Sequence, residues 1–474
     1  MRVSEVLEKS ITVFCIMAFS GTVLPVLLTG GGPVAADQES AGAAVFFAGT
    51  YVLILGLIAS RPALAFRVPF ASPALSAALL LAFLSSLWSL YPDITLRRSV
   101  AFLFTTVFGI YLGLRYRFPE IMRLLATGLS LLMVLSFIFV VAMPAVGLDH
   151  EMHPGAWKGV FFQKNVTGRM MVWLVLCLVW LDWQGEARRW VTRSLLALAM
   201  LLIIMSRSGT GLLTSFLVTG ALLSTTLVRG SIRSFMPTMA LLIALLVIAA
   251  TAGAFFWHDA LYAMGRDPTL TGRTVLWDHI LRSVEERPLL GYGYAAYWYG
   301  AYGPGAAFVE GWGINSAHSG WLEAMLDLGL PGLLIVVTLL GRLLFQGFFQ
   351  ARYGDNRAEP AWMFAVGCAM LAISISESLF LERHSLNWIV LTIGVVRLIQ
   401  RQRWDRARAA GRGSRHGSFH GHPTRARPGD PGVPQGGLGY HPVVPRGPAL
   451  ARSAAPAAPF ATDRTPYPGN GRSL

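Results

Sequence analysis

Charge is what this sequence has least of. Asp, Glu, Lys and Arg make up 14% of its 474 residues, hydrophobic residues make up 54%, and mean hydropathy is +0.54. Soluble domains carry about a quarter charged residues, so the composition excludes one and points to a polytopic membrane protein. Cysteine is scarce too: Cys15, Cys177 and Cys368 all lie in apolar stretches, where the thiol behaves as a small buried hydrophobe. Neither a disulfide framework nor a metal site follows from them, and no cofactor motif is present. No internal repeat is evident, which leaves an inverted-repeat transporter without support. The apolar stretches are nearly free of ionisable residues, where a proton-coupled carrier would place its relay; Glu377 is the main exception.

Positive charge is concentrated in one place. Residues 401–474 hold twelve arginines and no lysine against three aspartates and no glutamate, nine of the net fourteen positive charges. Gly, Pro, Ala and His crowd the same stretch, a composition that cannot bury a core and reads as a disordered tail. Anionic lipid headgroups are its expected neighbours. Nucleic acid is a poor reading, because the rest of the chain is only mildly basic.

A bilayer-crossing helix needs about 20 apolar residues, and the candidate stretches are 10–29, 44–60, 73–90, 98–115, 121–146, 166–182, 193–206, 209–228, 237–256, 321–346, 361–381 and 385–400. The expected fold is therefore all-α and polytopic, with about twelve transmembrane helices and one long extracytoplasmic loop. The expected division is 1–256 (helices one to nine), 257–320 (the loop), 321–400 (helices ten to twelve) and 401–474 (the basic tail). The first stretch lacks a convincing small-residue cleavage site and reads as a transmembrane helix rather than a removed signal peptide. Arginines of the short loops, among them Arg61, Arg115, Arg188, Arg229 and Arg352, place both termini in the cytoplasm. That orientation puts Arg98, Lys164, Arg207, Arg273, Arg287 and Arg383 on the outer face, against the usual bias. An excess of cations there calls for an anionic ligand.

Long helix connections tend to be functional, so the loop at 257–320 is where chemistry is expected. Gly272-Arg273-x-x-x-Trp277 opens what reads as an amphipathic helix over 273–286, with Trp277, Ile280, Leu281 and Val284 at helical spacing. Arg287-Pro-Leu-Leu-Gly-Tyr-Gly293 follows, then Asn315-Ser-Ala-His318-Ser319 as the chain re-enters the membrane. Two earlier motifs sit at membrane boundaries. Trp157-Lys158 through Lys164-Asn165 and Arg169 fits either an interfacial anchor or, with Lys164 at a helix start, a phosphate site. Ser206-Arg207-Ser208 reads as a tight turn between two spans; it is either solvated or holds an anion, since arginine near hydrocarbon is expensive without a partner. A lone histidine such as His318 is more often structural than catalytic, but a neutral imidazole suits deprotonation of a hydroxyl.

Taken in order, Lys-Asn before a span, Ser-Arg-Ser between spans, Gly-Arg opening the loop, Arg-Pro-x-x-Gly-x-Gly within it and His-Ser at its end resemble the O-antigen ligase and polymerase superfamily. Its pattern His-[Asn/Ser/Gln]-x9-Gly-x-x-[Gly/Thr/Tyr] is met by His318-Ser319, Gly329 and Gly332. Ser319 stands where Asn is usual. The resemblance covers about 150–335 and the overall layout.

The resemblance implies metal-independent, inverting transfer of a glycan from an undecaprenyl-diphosphate-linked oligosaccharide to a sugar hydroxyl, on the periplasmic face of a bacterial inner membrane. In this sequence it assigns Arg207 and Arg273 to the diphosphate, with Lys164 and Arg98 as helpers, and His318 to the acceptor hydroxyl. Tyr292, Tyr294 and Trp298 are the aromatic residues expected to stack on sugar rings. Its expected partners are the lipid-linked donor, the glycan acceptor, membrane lipid, a flippase and a chain-length regulator. Polymerisation of exopolysaccharide or O-antigen repeat units is the favoured activity; ligation of polymer to lipid A core or to protein is the alternative, and a polysaccharide transporter or flippase is a third.

Overall fold

The computed structural model describes residues 3–22, 41–150, 153–227, 273–300, 303–354 and 357–416. Among the described residues the regular structure is helical, without strands and with three isolated β-bridges. The longer helices are α1 (Val3–Ala18), α2 (Ala41–Ala59), α3 (Pro73–Leu84), α4 (Pro92–Arg115), α5 (Phe118–Ala142), α6 (Lys164–Gln184), α7 (Arg189–Met205), α8 (Gly209–Leu227), α9 (Arg273–Glu286), α10 (Gly320–Gly341), α11 (Ala358–Ile373) and α12 (Leu386–His416). Five stretches are long and apolar enough to cross a bilayer: α2, α4, α5, α6 and the continuous Gly320–Tyr353. The protein is an all-α polytopic membrane protein. The expected span at 237–256, the loop start at 257–272, residues 23–40 and the tail beyond 416 lie outside the described residues.

Local sequence explains the helix starts. Pro73, Pro92 and Pro119 occupy first-turn positions, where a missing N–H costs nothing. Ser72 caps α3 by accepting the Leu75 N–H. At the start of α5 the Arg117 N–H donates to the Glu120 carboxylate, and the Glu120 N–H donates to the Arg117 carbonyl. Gly185, in the left-handed region at φ 67°, ends α6. α6 is apolar all round and lies in the interior, with Met171, Trp173 and Leu174 fully buried or nearly so. It packs against α5, α7 and α8.

Three expectations meet the structure at element boundaries. The turn at 206–210 is present: α7 stops at Met205, α8 begins at Gly209, and Arg207 between them is left-handed at φ 51°. The span expected over 361–381 is shorter, because α11 ends at Ile373 and residues 374–385 form an irregular connection. Ser374 Oγ donates there to the Leu371 carbonyl, a local bond that competes with the helix ladder, and Leu381 and His384 are left-handed at φ 57° and 54°. α12 runs past residue 400, where the sequence placed the tail, to His416. Arg401 bonds Glu359 and Gln350, and Arg403 donates to the Phe70 carbonyl, which anchors this segment.

Candidate functional site

A cavity of about 590 Å³ opens where helix ends and loops converge. The end of α1 supplies Phe19, Ser20 and Gly21; α4 supplies Arg98; the start of α6 supplies Gln163, Val166 and Arg169. Tyr294, Ala295 and Trp298 come from the loop after α9, Asn315 and Ser316 from the turn before α10, and Glu323 and Asp327 from its first two turns. The 374–385 connection adds Ser378, Glu382, Arg383 and His384.

Within the loop, α9 spans 273–286 as the spacing suggested, and Leu276 and Ile280 pack with Tyr292, Tyr297, Trp298, Ala317 and Leu326 in a small core of their own. The Gly-x-Gly of the Arg-Pro motif has a physical cause. Gly293 is at φ 98°, and a Cβ there would lie 2.5 Å from the Ser89 side chain. Gly329, at φ 61°, kinks α10 two residues before Pro331 and lets the Leu289 carbonyl approach where a Cβ would clash at 2.5 Å. Tyr292 N–H then donates to Leu326 O (2.7 Å) and Leu330 N–H to Pro288 O (3.0 Å), which clip the loop onto the kinked helix.

The residues expected in the site are placed in several different ways. Arg98, Tyr294 and Trp298 line the cavity. Arg98 is buried, donates to the Ala295 carbonyl and lies 5.2 Å from the Tyr299 ring centre. Tyr294 donates to the Leu381 carbonyl at 2.6 Å, and Trp298 donates from Nε1 to Glu323 at 2.8 Å. Lys164 and Arg207 come together beside it: Lys164 opens α6 next to the lining Gln163, its Nζ donates to the Arg207 carbonyl (3.2 Å), and Arg207 reaches Pro154 O (3.4 Å). Arg273 opens α9; its side chain lies outside what is described. His318, half-buried and left-handed at φ 47°, sits between the lining Ser316 and Glu323.

Tyr292 is placed differently from its aromatic neighbours. It is buried in the loop core, donates to Ser283 O and Glu286, and stacks under Arg287. Burial and then Glu286 push its hydroxyl up to about 12, so it stays a neutral donor.

Sequence reading missed much of the cavity wall. Arg169 meets Glu377 at 3.6 Å, while Asn165 Nδ2 holds the other Glu377 oxygen at 2.9 Å. The Arg169 Nε and Nη1 have no hydrogen-bond partner among the described residues. Glu323 accepts from the Ala317 N–H (2.6 Å), Trp298 Nε1 (2.8 Å) and Ser378 Oγ (2.9 Å); Asp327 accepts from the Ala295 N–H (3.0 Å). A signal was available: Asn165/Arg169 and Glu323/Asp327 are each spaced i,i+4, which puts both members on one helix face.

In the connection, burial pushes the Glu382 carboxyl above its usual range, opposed by Arg169 and by hydrogen bonds from Ser385 and Asn387. Burial and then Arg383 hold His384 well below its usual value. Its neutral ring bonds Tyr51 and stacks on Phe47, with ring centres 3.6 Å apart. The cavity thus sets the buried Arg98 and the half-buried Arg169 and Arg383 beside aromatic and carboxylate groups. That combination suits a ligand with an anionic centre and sugar rings.

An all-α polytopic membrane protein is the fold the O-antigen ligase resemblance implies, and residues 192–337 match the O-Antigen ligase family. The chain is also 25% identical to the exopolysaccharide production protein ExoQ of Rhizobium meliloti (strain 1021), over 67% of this chain and 75% of the relative. Both matches support the O-antigen ligase-like superfamily.

Proposed function

We propose that this protein polymerises lipid-linked repeat units of an exopolysaccharide or O-antigen by inverting glycosyl transfer. The donor is a glycan on undecaprenyl diphosphate, and the reaction takes place on the periplasmic face of the inner membrane. The observation that carries the reading is the cavity, in which Arg98, Arg169 and Arg383 share the wall with Trp298, Asn315 and Asp327.

The acceptor hydroxyl oxygen attacks the anomeric carbon of the donor sugar. The bond from that carbon to the phosphate oxygen breaks, and its electron pair leaves with the lipid diphosphate. His318 takes the hydroxyl proton. The leaving group is already a stable anion, so fixed cations rather than an acid are the main requirement. Arg207 and Lys164 beside the cavity, Arg98 and Arg169 in its wall, and Arg273 at the start of α9 are those cations, acting where other transferases use a metal ion. Tyr294 and Trp298 face the sugars; Tyr292 supports them from behind. A flippase would supply the donor, and a chain-length regulator would set product size.

Purified protein given lipid-linked repeat unit should yield a ladder of polymers, and Arg169→Gln should abolish it. The match to the O-Antigen ligase family supports a second reading, ligation to lipid A core or protein. Acceptor identity in cells separates the two: loss of a polymerase leaves single repeats, whereas loss of a ligase leaves free polymer.

A further inference from the structure

We propose that Glu323 is a positioning residue that sets the His318 turn against the cavity. The inference rests on the transfer reading above for its functional consequence, but its structural content stands apart from it.

Glu323 lies in the first turn of α10, where the positive end of the helix favours a carboxylate. Its two oxygens gather three donors from three chain segments that are distant in sequence. Trp298 Nε1 comes from the loop after α9, the Ala317 N–H from the turn before α10, and Ser378 Oγ from the connection between α11 and α12. All three segments contribute cavity-lining residues. Ala317, fully buried, is gripped on both sides: Trp277 Nε1 donates to its carbonyl at 2.9 Å, and its N–H meets Glu323 at 2.6 Å. The next residue is His318, held in the left-handed region, which a residue with a Cβ adopts only where its surroundings over-determine it. The Glu323 carboxylate and the Trp277 indole are the hydrogen-bonding groups that hold the preceding peptide.

Chemistry makes the carboxylate hard to replace. Both N–H groups need acceptors, and they use different oxygens of Glu323. A glutamine offers one acceptor oxygen and one amide that donates. Whichever way it turns, one N–H faces another donor. Aspartate keeps both acceptors but is one methylene short.

Hydrogen exchange over residues 313–322, with transfer assays beside it, tests the proposal on the full-length protein in detergent or nanodiscs. Glu323→Gln should speed exchange of this segment about tenfold or more while leaving α5 and α6 protected. Transfer should fall about 10- to 100-fold in kcat, the scale of an ångström-level misplacement, with donor KM little changed. In a His318→Ala background, Glu323→Gln should add no further loss, because its effect runs through that residue. Glu323→Asp should recover part of both readouts. Unchanged exchange in Glu323→Gln, or a loss that multiplies with that of His318→Ala, overturns the proposal. Should the wild type transfer no glycan, the proposed function falls while the exchange result still decides whether Glu323 sets the turn.

Discussion

The two ends of this bundle handle buried charge in opposite ways. Along α4, Arg98 and Arg115 are roughly 25 Å apart at 1.5 Å per residue. At the Arg115 end, Glu8 accepts from Arg115 Nε (2.7 Å) and Nη2 (3.1 Å), Arg61 Nη2 (2.8 Å) and Tyr111 Oη (2.6 Å). Charge meets charge in a saturated cluster that ties α1 to α2 and α4. At the Arg98 end, carboxylates take their hydrogen bonds from amides, an indole and a hydroxyl, and Arg169 reaches Glu377 only at 3.6 Å. Its Nε and Nη1 make no hydrogen bond among the described residues. A buried network closed on itself stabilises structure. One whose cation keeps hydrogen-bonding capacity is prepared for an anion from outside.

Paired substitutions at the two ends give the sharpest contrast. Arg169→Gln should reduce transfer by about 100-fold or more, the scale of removing a charge-stabilising donor, with melting temperature nearly unchanged. Glu8→Gln should do the reverse: breaking a buried ion cluster costs about 3–5 kcal/mol, read as a lower melting temperature, with turnover per folded molecule retained. Equal effects on both properties from both substitutions would erase the distinction between the ends. His318→Ala should lower kcat about 10²- to 10⁴-fold, the range for general base catalysis, while donor binding by equilibrium titration persists. A smaller loss follows from Trp298→Phe, which removes one hydrogen bond to the Glu323 carboxylate, about 1.5 kcal/mol and so roughly tenfold in rate.

The smallest expected effect concerns pH. The unfolded His384 imidazole takes up a proton near its ordinary value of 6.5, whereas the folded ring resists it. The unfolded state therefore binds more protons below that pH, and stability falls as pH drops from about 6.5 toward the folded value. His384→Asn tolerates the left-handed backbone and does not titrate. The difference in melting temperature between pH 7.5 and 5.5 should shrink in that variant, and an unchanged difference would remove His384 from this account.

Much of the fold was legible because membrane helices announce themselves by composition. α9 was placed residue by residue, and the turn expected over 206–210 lies at 206–208, since amphipathic spacing and a basic break between apolar runs are local signals. The site was only half legible. Arg98, Tyr294 and Trp298 reach the cavity as cations and aromatics on an outer face would suggest, and Lys164 meets Arg207 across α6 and the turn. The 374–385 connection was absorbed into a transmembrane span because Leu379, Phe380 and Leu381 extend the apolar run of α11. Only the fold shows that the chain leaves the helix at Ser374 and carries Glu382, Arg383 and His384 to the cavity. Glu323 and Asp327 escaped for a related reason: a carboxylate in a helix looks alike whether it faces solvent or collects three donors from distant segments.

The central claim is that the arginine-lined cavity performs glycosyl transfer with its own cations. Purified full-length protein incubated with lipid-linked repeat unit, with and without chelator, tests it most directly. The account predicts a polymer ladder insensitive to chelator and absent in Arg169→Gln. A wild-type protein that moves the donor without extending it, or a ladder that chelator abolishes and Arg169→Gln leaves intact, would contradict it.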